Sequence, residues 1–152
     1  MRWESNIAIG QNTGKDDLIH SGNQYSALDR KTVLVVEDIS SNYLLISAML
    51  SKHYNLLHAV NGEQAVAMVK EYKIDLLLMD MKMPVMDGLT ATAEIRKFDT
   101  NIPIVALTAH AFESDKVAAL KSGCNDYLVK PVDKARLMSV LRKYCHPSTL
   151  VL

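Results

Sequence analysis

Apolar positions along this chain come in two textures. From Thr32 onward, short aliphatic runs alternate with longer stretches in which apolar residues recur every three or four positions. The runs "VLVVE" (33–37), "NLLHAV" (55–60), "DLLLMD" (75–80), "PIVAL" (103–107) and "DYLVK" (126–130) are short and rich in Val, Ile and Leu, so they predict five strands. Helices are predicted between them. Ser40 or Ser41 is placed to cap one that carries Leu45, Ile46, Met49 and Leu50, and Asn61 to cap one that carries Ala65, Val66 and Val69. Gly88 opens a third, through Ile95. Gly123 follows "SDKVAALKS" where a helix end needs a left-handed residue, and Asp133 precedes a stripe of Leu137, Val140, Leu141 and Tyr144.

Strands that are apolar almost throughout, alternating with helices, predict an α/β fold. The expected architecture is a three-layer α/β/α sandwich around a five-stranded parallel sheet. Right-handed crossovers favour the flavodoxin-like strand order 2-1-3-4-5, in which ligands bind beyond the carboxyl ends of the strands where the winding reverses. Residues 1–31 carry neither texture and are rich in Gly, Asn, Gln and Ser, so they are expected to form a flexible N-terminal segment or linker. One domain is then expected over residues 32–145, with a tail at 146–152.

Polar residues collect at one end of the predicted sheet. Glu37 and Asp38 end strand one, Asp80 ends strand three, Thr108 ends strand four and Lys130 ends strand five. Each alone has an ordinary explanation, since carboxylates suit a helix start and lysines suit solvent. Five of them at one rim call for a shared one. Two unit charges about 4 Å apart repel by roughly 4 kcal/mol at an effective dielectric near 20, so three carboxylates there require a cation. With oxygen ligands and no His or Cys at hand, the expected ion is Mg²⁺. Three carboxylates, a divalent ion and the Lys130 ammonium sum to zero, a balance suited to phosphoryl chemistry, with Asp80 the carboxylate best placed as nucleophile.

Composition narrows the alternatives. Among 152 residues, 17 basic balance 17 acidic, which leaves no electrostatic footprint for nucleic acid or an anionic membrane. No apolar run is long enough to span a bilayer. Cys124 and Cys145 form neither a disulfide framework nor a zinc signature, so a reducing, cytoplasmic setting is expected. His20, His53, His58, His110 and His146 lack metal-ligand spacing, and His110 is expected on an exposed loop near Thr108.

The motifs "VLVVEDI", "LLLMDMKMPVMDGLTA", "PIVALTAHA" and "GCNDYLVKPV" resemble, in order and spacing, the receiver domains of two-component response regulators. The likeness covers roughly residues 32–145 and is greatest to receivers at the C-terminus of hybrid sensor histidine kinases. It implies that Asp80 takes a phosphoryl group from a phosphohistidine on a histidine kinase or histidine phosphotransfer domain. Asp38, Asp80 and the backbone carbonyl of Lys82 would hold Mg²⁺, with Glu37 acting directly or through water. Thr108 and Lys130 would contact the phosphoryl oxygens, and Thr108 with Tyr127 would switch the surface of helix four, strand five and helix five. The Lys130–Pro131 peptide is expected to be cis. Such a domain catalyses only its own phosphorylation and dephosphorylation. Ile39, where many receivers carry Asn, and Lys82, two past the phosphoacceptor, depart from the common pattern and bear on phosphoryl lifetime.

Seven residues follow Cys145, so no output domain is expected after it. A stand-alone regulator and a receiver belonging to a hybrid kinase, tethered to a membrane or not, both remain open. So does phosphorylation-dependent pairing of two copies. Three other readings compete. A phosphohydrolase of the haloacid dehalogenase type also uses an aspartyl nucleophile, but places a second Asp where Lys82 stands. A flavin-binding domain needs a Ser-, Thr- and Gly-rich phosphate loop where "EDISSN" would repel an anion. A phosphorylation-independent interaction module would not need the five-residue set.

Overall fold

The computed structural model describes residues 29–146. The segment expected over 1–31 and the tail expected over 146–152 fall almost entirely outside the described residues. Ten elements alternate along the described chain: β1 (Thr32–Val36), α1 (Ser40–Leu50), β2 (Asn55–Ala59), α2 (Gly62–Glu71), β3 (Leu76–Asp80), α3 (Gly88–Arg96), β4 (Ile104–Thr108), α4 (Glu113–Ser122), β5 (Asp126–Val129) and α5 (Lys134–Cys145). All strand pairs are parallel, in the order β2-β1-β3-β4-β5. The α/β class and the strand order expected from the sequence are those observed.

Alternation along each strand sends side chains to two cores. On one face Val33, Val35, Leu76, Leu78 and Leu128 pack with Ile46 and Leu50 of α1 and Leu137 and Leu141 of α5. On the other, Leu34, Val36, Leu77, Met79, Ile104 and Ala106 pack with residues of α2, α3 and α4, among them Ala65, Met68, Ile95 and Ala119. β3, central in the sheet, is buried at all five positions. At roughly 2 kcal/mol for each fully buried aliphatic side chain, this strand is a rigid mount for whatever stands at its end.

Several local expectations hold. Asn61 and Asp133 accept side-chain caps from the Gln64 and Arg136 amides. Gly123 closes α4 at φ 118°, a left-handed conformation open to Gly at little cost. Others need correction. Neither Ser40 nor Ser41 caps α1. The N-cap position is Ile39, with no side-chain cap, and the Ile39 amide instead donates to Glu37 Oε1 at 3.3 Å. Leu45 is half exposed, because the stripe through Ile46, Met49 and Leu50 turns its neighbour outward. Two strand ends also shift by one residue, since Glu37 and Lys130 lie just beyond β1 and β5, whereas Thr108 ends β4 as expected.

Candidate functional site

β1 ends at Val36, so Glu37 and Asp38 stand where the backbone leaves the sheet for α1. The adjacent β3 ends on Asp80 itself. Val36 pairs with Met79 in parallel register, which brings the acidic pair and Asp80 out side by side. One carboxylate oxygen from each of Glu37, Asp38 and Asp80 lies within 4.8 Å of the others. Glu37 is fully buried and Asp80 nearly so.

Lys130 reaches in from the end of β5. Its Nζ lies 2.9 Å from Glu37 Oε2 and 3.1 Å from Asp80 Oδ2. Its amide donates to the Thr108 carbonyl at 2.7 Å, and the peptide to Pro131 is cis, as expected. Burial and then the nearby Glu37 push the Asp80 carboxyl up to about 6, against the opposing pull of Lys130 and the Lys82 amide. Burial by itself would depress Lys130, but its contacts with Glu37 and Asp80 outweigh that and hold the ammonium above its ordinary value. One ammonium therefore does not neutralise the three acids.

An unsatisfied acceptor points the same way. Asp38 Oδ1 is buried without a hydrogen-bond partner, a costly condition for a carboxylate oxygen. An all-oxygen donor set, an excess of negative charge and this orphaned atom together fit a hard divalent cation such as Mg²⁺.

Thr108 is buried at the end of β4, and its hydroxyl donates to the His110 carbonyl at 2.9 Å. Lys82 is exposed; its backbone amide donates to Asp80 Oδ1 at 3.3 Å. Thr108, Lys82, Asp80 and Lys130 line one cavity of about 530 Å³, with Met81 and Met83 in its wall. Tyr127 is half-buried on β5 and lines a separate opening with Arg136 and Lys116, whose Nζ lies 4.7 Å from the ring centroid. The structure thus gathers Glu37, Asp38, Asp80 and Lys130, sets Thr108 and Lys82 beside them, and leaves Tyr127 one step away. His110 is exposed and stacked on Phe112.

Sequence reasoning missed neighbours of Glu37: Asn42 Nδ2 donates to its Oε1 at 3.5 Å, and His58 meets its backbone. His58 Nε2 lies 2.8 Å from the Glu37 carbonyl oxygen. Spacing along the chain offered no signal for it, because the contact depends on the β1–β2 register.

Comparison with known proteins places this geometry. Residues 33–142 match the response regulator receiver domain family. The chain is 40% identical over 119 residues to hybrid signal transduction histidine kinase M of Dictyostelium discoideum, a match spanning 73% of this chain and 5% of that protein. A receiver domain of a sensor histidine kinase from Pseudomonas aeruginosa, crystallised with magnesium coordinated in its active site cleft, superposes with a TM-score of 0.71 at 39% identity, covering 76% of this chain and 97% of that one. The Saccharomyces cerevisiae response regulator Ssk1 receiver, solved in complex with the histidine phosphotransfer protein Ypd1, gives a TM-score of 0.75 at 36% identity, covering 80% and 93%. Among the described residues no helix is long and apolar enough to cross a membrane. With matching fold, motifs and relatives, the chain belongs to the response regulator receiver domain family of two-component signalling.

Proposed function

We propose that this chain accepts a phosphoryl group on Asp80 from a phosphohistidine, in a Mg²⁺-dependent reaction, and that the charged group alters its α4–β5–α5 surface. The observation that carries this reading is the Lys130 ammonium held between Glu37 and Asp80, while Asp38 Oδ1 lies buried and unpartnered beside them. Residues 32–145 form the proposed receiver unit.

An Asp80 carboxylate oxygen attacks the phosphorus atom, an O–P bond forms as the donor's N–P bond breaks, and the electron pair returns to the imidazole nitrogen. Glu37, Asp38, Asp80 and the Lys82 backbone carbonyl are the groups that would hold the metal, with Glu37 direct or through water. When bound, magnesium supplies positive charge to the acids and to the phosphoryl oxygens. Lys130 carries the remaining positive charge and is placed to leave Asp80 for a phosphoryl oxygen. Water then hydrolyses the acyl phosphate, so the only chemistry is the domain's own loading and unloading.

Thr108 links loading to shape. Its hydroxyl now donates to a neutral carbonyl. A phosphoryl oxygen is a charge-assisted acceptor, about twice as strong, so the hydroxyl turns towards Asp80 and releases the His110 segment. Tyr127 then exchanges its place beside Lys116 for the vacated space.

The donor is a histidine kinase or a phosphotransfer protein, as the complex formed by the yeast relative suggests. Ile39 at the N-cap of α1 and Leu44 and Leu45 within it are each at least half exposed, apolar surface that suits protein docking.

The test is intact mass after incubation with Mg²⁺ and acetyl phosphate. One phosphoryl adduct is expected on wild type, and none in EDTA or on Asp80→Asn. Turnover of small phosphoesters without an adduct would instead favour a phosphohydrolase.

A further inference from the structure

Glu37 is bonded to β2 through both of its backbone groups. Its amide donates to the Ala59 carbonyl at 3.0 Å, extending the β1–β2 ladder by one rung. Its carbonyl is met by the His58 ring, with Nε2 at 2.8 Å. A carbonyl oxygen can only accept, so Nε2 carries the proton in this contact.

The ring is itself held. Tyr43 of α1 lies flat against it, with ring centroids 3.8 Å apart and planes 6° apart. Tyr43 is anchored in the first turn of α1, where its amide donates to the Ile39 carbonyl at 3.1 Å.

The bonded carbonyl belongs to the peptide that joins Glu37 to Asp38. Holding that oxygen limits uncompensated changes in ψ of Glu37 and φ of Asp38, the two torsions that set how the two residues, and so their carboxylates, turn relative to each other. β2 has ended at Ala59, and the imidazole takes the place of the next ladder donor. Mutual repulsion of the three acids acts on this same peptide, which gives the clamp something to resist.

We propose that His58 is a positioning residue for the acidic pair. Its Nε2–H fixes the Glu37–Asp38 peptide, Tyr43 holds the ring in that pose, and the two carboxylates are thereby oriented in advance for a divalent cation. This rests on the reading of Glu37 and Asp38 as metal ligands. Outer partners that orient ligands in this way ordinarily contribute about 10–100-fold to metal affinity.

The experiment is calorimetric titration of the full chain with magnesium chloride for wild type, His58→Phe, which keeps the stack without the donor, and His58→Gln, which restores an N–H. Thermal unfolding in EDTA checks that each variant folds. Affinity about tenfold weaker in His58→Phe, with most of the loss recovered in His58→Gln, is expected. Nitrogen chemical shifts of metal-free wild type are expected to place a proton on Nε2 of His58. Wild-type affinity in a folded His58→Phe, a His58→Gln as weak as His58→Phe, or an unprotonated Nε2 overturns the clamp while leaving the site intact. Wild type that takes up no magnesium overturns the reading of the site and the clamp with it.

Discussion

Lys130 Nζ lies 2.9 Å from Glu37 Oε2 although 93 residues separate the two along the chain. β3 and β4 stand between their strands in the sheet, so the lysine reaches across the rim to make this contact. It meets Asp80 on the way, at 3.1 Å, and one ammonium is shared between two carboxylates with Asp38 close by. The site is thus balanced for a cation and strained without one.

That imbalance gives stability a pH dependence. Asp80 titrates at about 6 in the folded protein against an ordinary 3.8, so the folded state holds this proton more tightly than the unfolded chain does. Its stabilising contribution is complete below about pH 4 and disappears as pH rises through about 6. Metal-free protein should lose stability over that window. Asp80→Asn should flatten the profile and stabilise the protein at pH 7 by on the order of 2 kcal/mol. Denaturant titrations in EDTA from pH 4 to 7.5 check this, and identical slopes for the two proteins would count against it.

Gly88 allows α3 to start hard against the end of β3. A Cβ there would stand 2.2 Å from the Asp80 carbonyl oxygen and 2.8 Å from the Met81 Cα, both backbone atoms. Gly88→Ala should therefore cost roughly 1–3 kcal/mol and displace Asp80, slowing phosphoryl uptake. Urea denaturation and adduct formation over time measure the two effects.

Val85 sits at φ 70° and is 75% exposed. The left-handed region costs a β-branched residue about 1–2 kcal/mol, against roughly 0.5–1 kcal/mol for the extra freedom of Gly in the unfolded chain. Val85→Gly should stabilise the protein by about 0.5 kcal/mol, visible as a higher denaturation midpoint.

Thr108→Ala removes the hydroxyl now bonded to His110 without touching the acids or Lys130. Asp80 should still load, but Tyr127 ring resonances that move in wild type on adding beryllium fluoride should stay in place. Resonances moving equally in both proteins would remove Thr108 from the switch.

Much of this is legible in the sequence. Apolar runs such as "LLLM" declare buried parallel strands, and once the order 2-1-3-4-5 follows, the acids at the ends of strands one and three must meet. What escaped depends on geometry that periodicity does not encode. In α1, apolar residues occupy several faces, so nothing in the pattern marked Leu45 as turned outward. Ser40 and Ser41 read as caps, yet the Glu37 carboxylate already takes the Ile39 amide at that helix start. The direction of the Thr108 hydroxyl is a rotamer choice, and the His58–Glu37 contact joins strands through register.

The most direct test of the central claim identifies the modified atom. Protein loaded with acetyl phosphate and Mg²⁺ is reduced with borohydride, which converts an aspartyl acyl phosphate to homoserine, and the digested peptides are sequenced by mass. Homoserine at position 80, and at no other acidic position, is the predicted result; homoserine at Asp38 or elsewhere, or none in protein that carries a phosphoryl adduct, would contradict it.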